Sequence, residues 1–411
     1  MDGEVGRFEF CTHKVLEVAD MVYDTAKDLF PVLGPKEWYR TSGFKEIALI
    51  HGTTRDSYRQ SSAMINRIRY QQQGGTPSRT LRDNTEREGA KLLEHVEKKS
   101  EQILDKHGFN PKGIFDGNKE SIPASPSMVK LSEEKVTKAI EACSHGLRFE
   151  GDLSLNSVAY EDPSQTVNIS IDDVIVKEQK SSRGDNDPEH HKKYVHNTVI
   201  HVQYGLMKYV LNGKGTAMML PIVLAFLLNN NLMGLRIQFF VDGQRTLQDS
   251  IIKFFSWYIN IGIILDWYHL EKKCKEQLSL GLKGRHIRNE ILERVTHILW
   301  YGSIDVAIEY LRSIDKESIK DKDAIERLIG YFERNRSNIP CYAARKYLGL
   351  RNSSNLGEKM NDLVVSERQK HNGMSWSKCG SVALASVTAL VRNKEHTRWF
   401  ENQDIDFKLA A

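Results

Sequence analysis

The stretch FFVDGQRTLQ (239–248) sets an apolar run directly against an acid and a glycine. Asp-Gly between hydrophobic residues is a strong hairpin signal, because a two-residue turn needs positive φ at its centre. The residues after the glycine argue otherwise. QRTLQDSIIKFF (244–255) carries its apolar residues at helical spacing, so the chain leaves a strand and enters a helix. Asp242 then stands at the carboxyl end of a strand, where open α/β sheets place ligands. A turn residue and an active-site carboxylate are both open readings of it.

Outward from this point the same alternation continues. VNISIDDVIV (167–176) is a strand rich in β-branched residues. YVHNTVIHVQY (194–204) and GLMKYVLNG (205–213) follow as two strands joined by almost nothing, and so antiparallel. TAMMLPIVLAFLLNN (216–230) reads as a helix with Pro221 early in it, GLRIQFFVD (234–242) as a buried strand, and GIILD (262–266) as a short one before the helix WYHLEKKCKEQLSLGL (267–282). The order β-β-β-α-β-α-β-α predicts an α/β fold with a mixed sheet and helices on its faces. Residues 283–350 carry only helical patterns, and 351–411 hold SSNLGEKMNDLVVSERQK (353–370), HNGMSWSKCG (371–380) and an apolar helix.

Upstream, residues from about 12 to 110 read as charged helices, and 111–165 as a connector rich in Pro, Gly, Ser and Asp with one helix, 132–144. Two helical patterns flank Gly74, Gly75 and Pro77, with Thr76 or Ser78 placed to cap the second and Arg79, Arg82, Arg87 and Lys91 upon it. That is the outline of a DNA-binding helix-turn-helix. An ordinary helical hairpin with a solvated charged face fits the pattern equally well.

Composition bounds the class. A chain of 411 residues has room for two or three domains. A net charge of +4 is too small an excess to argue a polyanionic partner by itself. Five scattered cysteines without a C-x-x-C pair fit neither a disulfide framework nor a zinc knuckle, and suit a reducing, cytoplasmic setting. No signal peptide opens the chain, and the longest apolar run, 217–228, is broken by Pro221 and too short to span a bilayer, so no membrane association is expected.

Three acids stand where such a sheet can gather them: Asp172 on the first strand, Asp242 after the fourth, and Glu358 opening a late helix. Carboxylates from separate elements suit two hard divalent cations, which activate a water or 3′-hydroxyl and stabilise the leaving oxygen in phosphodiester chemistry. Alternation puts Asp172 and Asp173 on opposite faces; Asp172 is the choice and Asp173 the fallback. Asp266 and His269, in DWYH, suit a plain N-cap with a first-turn histidine. Glu358 alone also suits a helix N-terminus, and Lys359, Arg368 and Lys370 nearby suit either a phosphate backbone or a solvated helix. His190 and His191 read as surface loop residues.

Taken together, ISIDDVIVKEQK, QFFVDGQRTLQ, ILDWYHLEKK and SSNLGEKMNDLVVSERQKHNGMSWSKCG resemble, in order and over roughly residues 130–395, the DDE transposases of bacterial insertion sequences. Among these the chain is similar to the ISLre-type family, related in organisation to Mutator-like transposases. The resemblance implies a ribonuclease H-like core in two parts, 166–282 and 351–411, interrupted by an all-helical insertion, 283–350. It implies a catalytic and metal-binding triad of Asp172, Asp242 and Glu358 holding two Mg²⁺ (Mn²⁺ also serving). Asp266 and His269 fall on the D-x-x-H of Mutator-like enzymes as supporting residues. Arg368 and Lys370 fall on the basic residues after the glutamate, and Trp376 on the Gly-Met-x-Trp element. The expected function is transposition: residues 1–110, through Arg79 and Arg82 among others, bind terminal inverted repeats, and a homo-oligomer on DNA cleaves strands and transfers them into target DNA. The alternatives are a domesticated DNA-binding protein and a ribonuclease H-like nuclease that cuts without joining.

Overall fold

The computed structural model describes residues 42–70, 75–115, 131–149, 160–180, 193–370 and 374–410, with the backbone of a few short strands in the first 24 residues. Gly74, His190 and His191 lie outside the described residues. The chain divides into two compact units: residues 1–97, 175–197 and 363–406, and residues 98–174, 198–362 and 407–411.

In the first unit Lys14–Leu16 and Val22–Asp24 pair as strands, and the first described helix starts at Ser42. Helices α1 (Ser42–Gly52), α2 (Tyr58–Ile68) and the start of α3 (Ser78–Lys106) bury Phe44, Ala48, Ile65 and Leu81 together. Helix α2 opens on a capping box: Ser57 Oγ accepts from the Gln60 amide while Gln60 Oε1 accepts from the Ser57 amide. Thr76 does not serve as a cap. It is buried, its carbonyl accepting from Ser62 and Asn66 and its Oγ1 from Arg69, which ties the turn back onto α2.

The second unit contains helix α4 (Glu133–Ser144) and most of a five-stranded mixed sheet, β1 (Thr166–Lys177), β2 (Tyr194–Tyr204), β3 (Met207–Gly213), β4 (Arg236–Val241) and β5 (Ile261–Leu265). The strand order is β3-β2-β1-β4-β5. β2 and β3 are antiparallel, while β4 runs parallel to both neighbours, with Ser170 opposite Phe240 and Val241 opposite Leu265. All of β4 is buried, as a central parallel strand covered on both faces must be. The covering helices include α5 (Thr216–Asn229), α6 (Arg245–Phe254) and α7 (Trp267–Gly281). Beyond them follow α8 (Arg285–Trp300), α9 (Ile304–Arg312), α10 (Lys322–Arg334) and α11 (Tyr342–Tyr347), whose apolar faces share one core with Phe240, Ile264 and Leu265. No described helix is long and apolar enough to cross a membrane.

The outer edge of β3 is managed by the chain itself. The Lys208 amide donates to the Ala410 carbonyl at 3.0 Å, and Phe407 is fully buried against Tyr209 and Phe226. On β2 the His201 imidazole is 2 % exposed, and its Nε2 has no hydrogen-bond partner among the described residues. Burial, helped by the charges of Arg351 and Lys208, pushes its pKa down to about 4. The folded state therefore refuses a proton that the unfolded chain accepts below about pH 6.5, and stability is lost as pH falls from there toward 4. Between pH 7.5 and pH 5 this costs about 2 kcal/mol. Urea denaturation at the two pH values is expected to record that loss, and His201→Leu to remove most of it.

Candidate active site

Register alone brings three acids level, Asp172 within β1 and Asp242 and Asp266 just past the ends of β4 and β5. Two residues on from the Ser170–Phe240 pair, Asp172 stands beside Asp242, and one residue on from Val241–Leu265, Asp242 stands beside Asp266. Helix α12 (Asn355–Asn361) brings Glu358 to the same end of the sheet. Asp172, Asp242, His269, Ser354, Glu358 and Asn361 line one cleft together with Phe240 and Val241. Asp173 does not line it and instead accepts a hydrogen bond from Thr198 at 2.5 Å.

Each acid is held differently. Asp242 Oδ1 accepts from the Gln244 amide at 3.0 Å, and its carbonyl accepts from the Tyr331 hydroxyl of α10 at 3.1 Å. Gly243 follows at φ 85°, and a Cβ there would lie 2.4 Å from that hydroxyl. Gly243→Ala therefore meets both a left-handed backbone and a collision, and is expected to destabilise by about 2 kcal/mol in denaturant titration. The hairpin reading of Asp-Gly is excluded, since the chain passes from β4 to α6.

Asp266 is fully buried and has both oxygens engaged. Oδ1 caps α7 by accepting from the Tyr268 and His269 amides, at 2.7 and 3.4 Å. Oδ2 accepts from the amide and hydroxyl of Ser354, immediately before α12. One carboxylate thus joins the starts of the two helices that carry His269 and Glu358. The His269 ring lies between acids, Nδ1 3.8 Å from Asp266 and Nε2 3.5 Å from Glu358. Burial alone would lower its pKa, but contact with Asp266 and the charges of Glu358 and Asp172 outweigh burial and raise it.

Burial chiefly holds the Asp172 carboxyl above its ordinary range, with Asp242 adding to the shift and His269 opposing it. Glu358 is raised in the same way, by burial first, then by Asp266 and Asp172 against the pull of His269. Carboxyls that crowd one another in this manner ionise more readily once a cation joins them. No lysine or arginine is among the described residues lining the cleft, and its carboxylates Asp172, Asp242 and Glu358 offer oxygen donors of the kind hard divalent cations take. Among the described residues the group whose donor atoms lie within 4.8 Å of one another is Asp266, His269 and Glu358, without Asp172 or Asp242, and the committed oxygens of Asp266 make it a brace.

The basic residues separate by exposure. Arg79 and Arg82 are exposed on α3, where Asp83 and Glu86 partner them. Lys370 is exposed. Arg368, expected on DNA, is 1 % exposed, its guanidinium 4.9 Å from the centre of the Tyr58 ring and 5.2 Å from that of Trp376. A cation enclosed by two aromatic faces is a packing element and presents nothing to a phosphate backbone. Ser354, Asn361 and Tyr331 were not singled out as site residues from sequence. Only Asn361 had a legible signal, three residues after Glu358 on one helix.

No family model matches the chain, and no curated protein matches it. Among solved structures, the Drosophila P element transposase strand transfer complex is 12 % identical, the match covering 84 % of this chain and 85 % of that one with a TM-score of 0.20. A score that low carries no argument.

Proposed function

We propose that this protein is a DNA transposase of the DDE kind, cutting and joining phosphodiester strands with divalent cations. One observation carries the reading: Asp172 within β1 and Asp242 just past the end of the adjacent parallel strand β4 share a cleft with Glu358. The strand order β3-β2-β1-β4-β5 supports a ribonuclease H-like core in two parts, 166–282 and 351–411, with 283–350 as its helical insertion.

In this reading Asp172, Asp242 and Glu358 hold two Mg²⁺ or Mn²⁺ ions, which supply charge for activating a water or 3′-hydroxyl and stabilising the leaving oxygen. Asp266 braces the starts of α7 and α12 and so fixes where His269 and Glu358 sit. His269, its proton held by the acids around it, moderates the negative charge beside Glu358. Residues 1–110 bind the element's terminal repeats, with Arg79 and Arg82 on an exposed helix, and Lys370, also exposed, adds a further contact. Two ends brought together imply a homo-oligomer on DNA.

The test is an assay of the whole chain with pre-cleaved duplex ends carrying a 3′-hydroxyl, in Mg²⁺ or Mn²⁺. Joined products are expected. Hydrolysis without joining would make the protein a nuclease, and DNA binding without either would make it a domesticated binding protein.

A further inference from the structure

We infer that Asn361 is a positioning residue of the cleft, fixing the Asp172 carboxylate and the Glu358 helix in one register. Its Nδ2 donates to Asp172 Oδ2 at 2.7 Å. Asn361 is 8 % exposed, so this amide is removed from bulk water and its hydrogen bond is not a surface accident. Because Glu358 and Asn361 are three residues apart on α12, they project from one helix face. One face therefore presents both an acid and the donor that holds a second acid.

Two further contacts make α12 a docked element. Gly357 approaches β1 so closely that a Cβ would lie 2.6 Å from the Ser170 Cβ. At its start, Ser354 is bound through its amide to Asp266 Oδ2 at 2.5 Å. The helix runs on past Asn361 through a π-helical stretch, Asp362–Ser366, into Glu367–Gln369, and these three joints fix its first two turns against the sheet. The chemistry of the donor suits the task. A neutral amide holds one oxygen of Asp172 and leaves the other for a cation, whereas a lysine or arginine there would bring a charge that opposes the cation. Partners of this kind orient ligands, and their loss characteristically weakens metal binding about 10- to 100-fold.

The inference rests on reading the cleft as a divalent-cation site, and the experiment separates the two. Calorimetric titration of the whole chain with MnCl₂ alone is run on wild type, Asp242→Asn, Asn361→Ala and Asn361→Leu. The leucine variant keeps the branching at Cγ and is the one read if alanine disturbs folding, with thermal melting as the check. The expected result is Mn²⁺ uptake by wild type, loss of a site in Asp242→Asn, and affinity about 10- to 100-fold weaker in the Asn361 variants at unchanged melting temperature. Strand cleavage by the Asn361 variants should then recover at saturating Mn²⁺, which a general structural fault would not allow. Wild-type affinity in the Asn361 variants overturns the inference alone. Absence of Mn²⁺ uptake by wild type, or undiminished uptake by Asp242→Asn, overturns the cation site and the inference with it.

Discussion

Asp242→Asn is expected to lower strand cleavage and joining roughly 1000-fold or more, while leaving the melting temperature at or slightly above wild type. The catalytic loss follows from the charge. A neutral amide is a poor ligand for a hard cation, and the several kcal/mol of transition-state stabilisation that the cation supplies go with it, each 1.4 kcal/mol being about tenfold in rate. The stability forecast follows from the geometry. The one hydrogen bond made by the side chain, from the Gln244 amide to Oδ1, is kept by the asparagine oxygen. The tie from Tyr331 goes to the backbone carbonyl and is untouched. Removing a negative charge also relieves Asp172, which Asp242 pushes upward in pKa. Gel assays on pre-cleaved ends and a thermal melt together check both parts. A variant that joined strands as wild type does would show that the cleft is not the catalytic centre.

The second large effect concerns the chain behind the site. Arg345 and Glu161 are both fully buried and form a two-pronged pair, Nη1 to Oε2 at 3.1 Å and Nη2 to Oε1 at 2.8 Å. The same guanidinium donates through Nε and Nη2 to the Arg351 carbonyl, at 3.1 and 2.9 Å. Next to it, the Asn352 side chain donates to the Tyr342 carbonyl, and the Trp267 amide donates to the Asn352 carbonyl. These bonds lay down residues 351–354, the approach to α12 and Glu358. Arg345→Met leaves Glu161 charged, buried and unpaired, and is expected to cost about 3–5 kcal/mol in urea denaturation. Loss of activity should accompany it, because the approach to Glu358 loses its anchor. Replacing both partners together, Glu161→Leu with Arg345→Met, should restore most of the stability, since well-packed apolar residues avoid the desolvation cost. If the single substitution cost under about 1 kcal/mol, the pair would have to be solvated, contrary to its burial.

Much of the site was legible in the sequence because its acids sit where local patterns change. Asp242 ends an apolar strand and precedes helical spacing, and Asp266 does the same one crossover later. Two residues show where this legibility stops. Arg368 follows the glutamate at a spacing that suits a phosphate contact, yet its guanidinium is enclosed by Tyr58 and Trp376. Glu161 lies in a run of Pro, Ser and Asp that reads as a connector, yet it partners Arg345 across 184 residues of sequence.

What the sequence by itself determined is the order of strands and helices and which of these elements carry the carboxylates. Periodicity is a property of neighbouring residues, and burial of an apolar face makes it visible. Tertiary structure alone decided which of two adjacent acids faces the cleft, that Asn361 holds Asp172, and that Asp266 joins two helix starts. Those are pairings between distant segments, fixed by strand register and by the need of every buried polar group for a partner. No local pattern carries that information.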